Sequence, residues 1–409
     1  MAPHLRLACL ISILTLAAAP MPVPSSARWA GVPRGEGDRA DGPASPWRAV
    51  GRAVSAATRT RWVNCVAFSS DGLTVASGTR DGMIRLWRVK DGEQLRELRA
   101  HDPWVHVLAM GDDGCLISGG ADGCVRLWRP RGAHTPVVRK MPGSPVALCP
   151  SAGLVACSGC RGDEVSVVLC RLADGRPMQT LRSPANWAAR LFAGVTGQPQ
   201  WVSPVAFSAD GSLVAFARTD QVIELWRMGS RRPVRRIGRP SHGDAASASG
   251  VQGEFSLWSS LVRALANGAE RLLQPFSDGG RWISALTFSP DGRVLAAGLW
   301  DGRVKLYRTS DGRLLRVLRG HTSRVCAIAF SADGALIATA GWDRSIKLWR
   351  RSGGRPVLTL PGHQWWVTCL AFSPDGSTLL SGGWDGAVRL WGVADGALRW
   401  EYGDAGSAG

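Results

Sequence analysis

A segment that recurs along the 409-residue chain constrains its fold more than any other feature. Aligning "DGMIRLWR", "DGCVRLWR", "DEVSVVLCR", "DQVIELWR", "DGRVKLYR", "DRSIKLWR" and "DGAVRLWG" places Trp87, Trp128, Cys170, Trp226, Tyr307, Trp349 and Trp391 in one column. The intervals are 41, 42, 56, 81, 42 and 42 residues. A near-constant period of this length marks an array of stacked or circularly arranged units. Upstream of each column member lies an apolar run that ends in a hairpin word: "VAFSSDG", "LAMGDDG", "VAFSADG", "LTFSPDG", "IAFSADG" and "AFSPDG", with "ALCPSAG" as the weakest copy. Asp-Gly supplies the positive φ that such a hairpin needs. A second Asp-Gly turn follows the column at residues 90–92, 173–175, 310–312 and 394–396.

Each unit therefore reads as four short antiparallel strands. One such sheet cannot bury both of its faces, so neighbours must stack, and seven units favour a closed ring. The expected fold is all-β: a single seven-bladed β-propeller of four-stranded antiparallel blades over residues 58–403. The 50 glycines and 24 prolines suit this many turns. Two intervals carry insertions, near 182–200 and 241–280. In the second, Phe255, Trp258, Val262, Leu265, Ala269 and Leu272 follow helical spacing, which predicts one inserted amphipathic helix between blades 4 and 5. That helix either packs on the side of the ring or receives a partner; an eighth blade would need hairpin words that the segment lacks. "ALRWEYG" can complete the last blade, with "WRAVGRAVS" as the competing closing strand.

The spacing and the "GH … WD" words resemble the WD40 repeat family, and above all the regular arrays common in bacteria. The resemblance implies a hydrogen-bonded network of His, Ser or Thr, Asp and Trp within a blade. Matching sets are His101, Ser118, Asp122 and Trp128; His321, Thr339, Asp343 and Trp349; and His363, Ser381, Asp385 and Trp391. Such a network satisfies buried polar groups and stiffens the blade. There is no His near Arg59, Ala297 replaces the hydroxyl of blade 5, and Cys170 replaces Trp in blade 3, which is expected to be the least rigid.

Tryptophans beyond this network fill two further columns on the rim where first strands begin. Trp300, Trp342 and Trp384 precede Asp in the turn after the second strand; Trp62, Trp104, Trp201, Trp282 and Trp366 open first strands, with Arg324 in that column of blade 6 and Arg80 in the trio's column of blade 1. The resemblance implies that residues in these columns contact partners on the narrow propeller face, and Trp and Arg are frequent binding hot spots. Repeat duplication and packing between blades are the competing explanations. On the opposite rim, Arg88, Arg129, Arg171, Arg227, Arg308 and Arg350 follow the column residue, with Gly392 in the last blade. That ring either keeps the protein solvated or binds anions such as nucleic acid.

The expected function is a non-catalytic protein-interaction scaffold that binds a peptide or protein, as a monomer; the alternative is a binder of anionic polymer or an acidic partner through the basic Arg-rich face. A charge balance of 49 Lys and Arg against 32 Asp and Glu, net +17, favours acidic partners without choosing among them. An enzyme would need His and carboxylates beyond structural use. Of seven histidines, three belong to the networks and His4 to the leader, leaving His106, His134 and His242 without a shared motif. "CSGC" at 157–160 lacks a second ligand pair, so neither metal nor cofactor is expected.

At the N-terminus, "MAPHLR", an apolar run "LACLISILTLAAA" and "PMPVPSSA" fit a secretory signal peptide over 1–27, followed by a flexible linker over 28–57. Export to the periplasm or the exterior follows if the leader acts as a signal, and a cytoplasmic protein if it does not. The apolar run is too short to span a bilayer. Beyond Cys9 an odd number of cysteines remains, with Cys65, Cys326 and Cys369 in apolar strand runs, which points away from a disulfide framework. Residues 404–409 read as a disordered tail.

Overall fold

Strand burial falls from the inside of each unit to its edge. In the first unit "TVASGT" (Thr74–Thr79) is buried almost throughout, "MIRLWR" (Met83–Arg88) alternates between buried and half-buried residues, and "QLRELR" (Gln94–Arg99) is largely exposed. Its Arg and Glu side chains protect an open sheet edge from further pairing. The computed structural model describes residues 61–129, 135–161, 164–184, 204–218, 222–238 and 282–402. Within them lie seven four-stranded antiparallel sheets. Each blade is contiguous in sequence, and its strands follow chain order across the sheet.

First strands are Val63–Phe68, Val105–Met110, Ser144–Cys149, Val205–Phe207, Ile283–Phe288, Val325–Phe330 and Val367–Phe372. Each packs against the first strand of the next blade, and that of blade 7 packs against that of blade 1, so the ring closes around a central channel. The last blade ends on its own fourth strand, Leu398–Tyr402. Closure thus comes from side chains at the seam. Trp87, Val63 and Val75 pack with Leu380, Val388 and Leu390. The Thr368 hydroxyl donates to the Val63 carbonyl at 2.5 Å, and Trp400 Nε1 donates to the Val89 carbonyl at 2.8 Å. Equivalent clusters fill the other interfaces, as with Leu348, Val367, Leu379 and Trp391 between blades 6 and 7. A fully buried Leu or Ile in such a cluster contributes roughly 2 kcal/mol.

The Ser-x-Asp-Gly word has a local cause. Ser69 Oγ donates to Asp71 at 2.5 Å and accepts from the Thr74 amide at 2.9 Å, while Gly72 takes φ +71°. The same Ser and Asp meet in four later hairpins, at Ser208, Ser289, Ser331 and Ser373.

The predicted helix over 255–272, the interior of both insertions, the leader, the linker and the tail lie outside the described residues. Blade 3 differs from the rest in length: Leu154–Arg161, Glu164–Arg171 and Pro177–Pro184 are eight residues each. Among the described residues, no helix is long and apolar enough to cross a membrane.

Candidate functional site

The second residue of most first strands is skipped by the pairing register. The shift falls between Val63 and Cys65, Val105 and Val107, Ile283 and Ala285, Val325 and Ala327, and Val367 and Cys369. A bulge of this kind re-aims one side chain. The residues concerned are Asn64, His106, Ser284, Cys326 and Thr368. All but Thr368 line a channel cavity of about 570 Å³, to which every blade contributes. Several bridge adjacent blades: Asn64 Nδ2 donates to the Val105 carbonyl at 3.0 Å and Ser284 Oγ to the Val325 carbonyl at 2.5 Å. Burial, the charges of His101 and Arg80, and weaker opposing contacts bring the His106 pKa down to about 4, so its ring is neutral at pH 7. The Cys326 thiol is pushed up to about 11 by burial.

Above this channel, backbone pairing sets the two tryptophan columns side by side. The amides of Arg80, Trp300, Trp342 and Trp384 donate to the carbonyls of Trp62, Trp282, Arg324 and Trp366. The side chains then form a continuous belt. Trp282 and Trp300 lie 6.0 Å apart between ring centroids, Trp300 and Trp342 6.0 Å, Trp342 and Trp366 4.0 Å, Trp366 and Trp384 4.7 Å, and Trp384 and Trp62 4.2 Å. Two arginines complete it. The Arg80 guanidinium sits 4.8 Å from the Trp62 ring and 4.3 Å from the Trp104 ring, and Arg324 sits 4.5 Å from Trp300 and 5.3 Å from Trp342. Burial lowers the pKa of both guanidiniums, which stay charged at neutral pH.

The belt spans blades 5, 6, 7, 1 and 2, and its members are half-buried rather than exposed. Stacking on neighbours takes up ring faces that the sequence columns alone leave open. Trp201 lies outside the described residues. The sequence columns miss Trp365, which is 58% exposed on the same rim beside Trp366. They also miss the bulge residues Asn64, His106, Ser284, Cys326 and Thr368, of which all but Thr368 line the channel cavity. Their signal was present as polar or small residues within apolar strands, 42 positions apart from Asn64 to His106 and from Ser284 through Cys326 to Thr368.

In the three network blades, Trp Nε1 donates to the hydroxyl of Ser118, Thr339 or Ser381 at 3.0, 2.8 and 2.9 Å. Those hydroxyls lie 2.8, 2.7 and 2.8 Å from Nε2 of His101, His321 and His363. Nδ1 of each imidazole reaches Asp122, Asp343 or Asp385 at 2.9, 2.8 and 3.0 Å. Burial raises the Asp343 carboxyl, but the hydrogen bond and charge of His321 and the Thr322 amide outweigh it and leave the pKa at about 2. Blade 4 solves the same problem differently. Trp226 Nε1 donates to buried Glu224 at 3.2 Å, which also holds Arg218 at 3.0 Å and Arg236 at 3.2 Å. In blade 3 the pairing register puts Cys157 and Cys170 where blade 1 has Ser77 and Trp87, both fully buried.

The arginine ring of the opposite rim is partly neutralised by its own turns. Arg88 pairs with Asp91 at 3.0 Å, Arg171 with Asp174 at 3.5 Å and Arg308 with Asp311 at 2.9 Å. Arg129, Arg227 and Arg350 are exposed, with Arg129 near Asp113. Among the described residues, no group of three or more His, Cys, Asp or Glu is placed to hold a metal.

Five segments, residues 54–88, 92–129, 271–308, 312–350 and 354–392, match the family model described as WD domain, G-beta repeat (WD40). The matches end at the third strands of blades 1, 2, 5, 6 and 7. The chain is 36% identical over 172 residues to "Small ribosomal subunit protein RACK1y" of Oryza sativa subsp. japonica, which covers 41% of this chain and 48% of that protein. It is 27% identical over 251 residues to "Telomerase protein component 1" of Rattus norvegicus, covering 57% of this chain and 9% of that protein. With "Nuclear distribution protein PAC1-2" of Uncinocarpus reesii it shares 26% over 168 residues, 38% of this chain and 36% of that protein. The chain thus spans less than half the length of these relatives. They are eukaryotic, and nothing in them supports the expected likeness to bacterial arrays.

Proposed function

We propose that this propeller of WD40 repeats is a non-catalytic interaction scaffold that holds a peptide or protein partner on the rim where its first strands begin. The observation that carries this is the belt of Trp282, Trp300, Trp342, Trp366, Trp384, Trp62 and Trp104, with Arg80 and Arg324, around the channel mouth. Stacked rings on rigid strands keep their shape without losing side-chain entropy on binding, which favours a preorganised docking surface. Exposed Trp365 extends the surface outward. The opposite arginine ring supports partner binding less well, because three of its guanidiniums already hold carboxylates.

The experiment compares proteins captured by the full chain, by Trp365→Ala and by Trp384→Ala, after circular dichroism shows that each variant folds. Loss of specific proteins with both variants is expected. An unchanged set would exclude this rim as the docking face.

A further inference from the structure

We infer that Arg80 is an acid-receiving site at the channel mouth, and that the partner of this face docks through an acidic peptide segment whose carboxylate pairs with it. This rests on the interaction-scaffold proposal and names the chemistry of the partner. The indoles of Trp62 and Trp104 cover the Arg80 guanidinium at 4.8 and 4.3 Å. That contact fixes the plane of the group and leaves its N–H edge as the side open to hydrogen bonding. Among the described residues, no carboxylate lies within ion-pair distance of Arg80.

The nearby acids are engaged elsewhere. Asp81 binds the Thr79 hydroxyl and the Met83 amide, and Asp122 is held by His101 and Arg126. His106, which lines the same cavity beside Trp104, is neutral at pH 7, and the thiols of Cys326 and Cys369 are pushed up by burial, so none of them supplies a counter-charge. A half-buried guanidinium in a fixed plane, facing a cavity of about 570 Å³, is prepared for a bidentate carboxylate.

The belt itself favours an anion. Stacking at 4.0 and 4.2 Å uses the electron-rich faces of Trp342, Trp366, Trp384 and Trp62 against one another. The ring edges left for contact carry the positive end of the aromatic quadrupole. The net charge of +17 draws acidic partners from a distance. An acidic peptide fits better than a nucleic acid, which needs open aromatic faces for its bases and a track of cations along its backbone.

The test uses the full chain and fluorescein-labelled octaglutamate, followed by anisotropy at about 50 and 150 mM salt, with an oligothymidylate of equal charge as comparator. Arg80→Gln is expected to weaken octaglutamate by about tenfold or more, and Arg80→Lys by less, because it keeps the charge but loses the fork. Arg355→Gln removes the same charge from the exposed turn before the fourth strand of blade 6 and should change affinity less than about twofold. Thermal melts of all three variants separate binding from folding, and Arg80→Lys carries the test if Arg80→Gln does not fold. Equal losses with Arg80→Gln and Arg355→Gln, or no octaglutamate binding at all, would overturn the inference. Tighter binding of oligothymidylate that depends on Arg80 would overturn it in favour of nucleic acid. If octaglutamate fails while Trp365→Ala and Trp384→Ala still release captured proteins, the docking face stands and only its acidic partner falls.

Discussion

The indoles of Trp62 and Trp384 lie face to face, 4.2 Å between centroids and 4° between planes, although they come from the first and last blades. With the Thr368 hydroxyl on the Val63 carbonyl and Trp400 on Val89, this stack holds a seam that no exchanged strand crosses among the described residues. Trp62→Ala and Trp384→Ala should each lower unfolding free energy by about 1–3 kcal/mol, with a coupling near 1 kcal/mol in the double variant. Urea unfolding of the four proteins measures both. Additive losses would mean that the stack contributes nothing beyond burial.

Thr339 receives the Trp349 indole proton at 2.8 Å and lies 2.7 Å from His321 Nε2. Thr339→Val keeps the shape and leaves both buried groups without that partner, at a cost of about 2–3 kcal/mol. Thr339→Ser restores the hydroxyl and should recover most of it. A thermal melt that ranks valine level with serine would contradict the network's role in stability.

Two groups predict acid sensitivity in separate windows. His106 has a folded pKa of about 4, below its ordinary 6.5, because burial and the charges of His101 and Arg80 oppose protonation. The stability it contributes is present above pH 6.5 and lost as pH falls through 4, by up to about 3 kcal/mol. Asp343, at about 2 against 3.8, keeps its contribution above pH 3.8 and loses it as pH falls through 2. His106→Gln should flatten part of the stability slope between pH 6.5 and 4 and leave the lower window in place. His363, also lowered by burial, supplies remaining slope in the upper window.

Arg344 adopts φ +65° at a turn where the neighbouring blades carry glycine, at Gly302 with φ +83° and Gly386 with φ +73°. Arg344→Gly should therefore stabilise the protein by about 1 kcal/mol, despite losing a long contact to the Gln364 carbonyl at 3.4 Å. The reverse change at the matching turn of blade 1 should be costly. A Cβ on Gly82 would lie 1.9 Å from the His101 carbonyl oxygen, so Gly82→Ala is expected to cost more than about 2 kcal/mol. Differential scanning calorimetry on the two variants tests both signs.

Much of the fold is legible because its signals are local. The Asp-Gly hairpins, the alternating strands and the Trp column all lie within one repeat of about 42 residues. The channel residues were harder to see. Nothing in "VNCVAF" or "VHVLAM" marks a bulge, and Asn64 and His106 reach the channel only because the register skips them. The arginine ring was legible as a column, but its pairing with the Asp of the following turn needed the geometry of that turn. Blade 4 shows the same limit. Glu224 replaces the hydroxyl network through a carboxylate that two arginines reach from flanking segments of the same blade.

The sequence by itself determined the unit and the number of units, since a period-2 strand pattern and a turn of fixed chemistry act between near neighbours in the chain. It also determined which residue types stand at the channel mouth. Tertiary structure alone decided what those residues do to one another. Arg80 meets Trp104 of the next blade, and Trp62 meets Trp384 from the far end of the chain. Such contacts depend on how sheet twist and blade count bring separate repeats edge to edge, and closure of the ring sets that geometry only after every blade is in place.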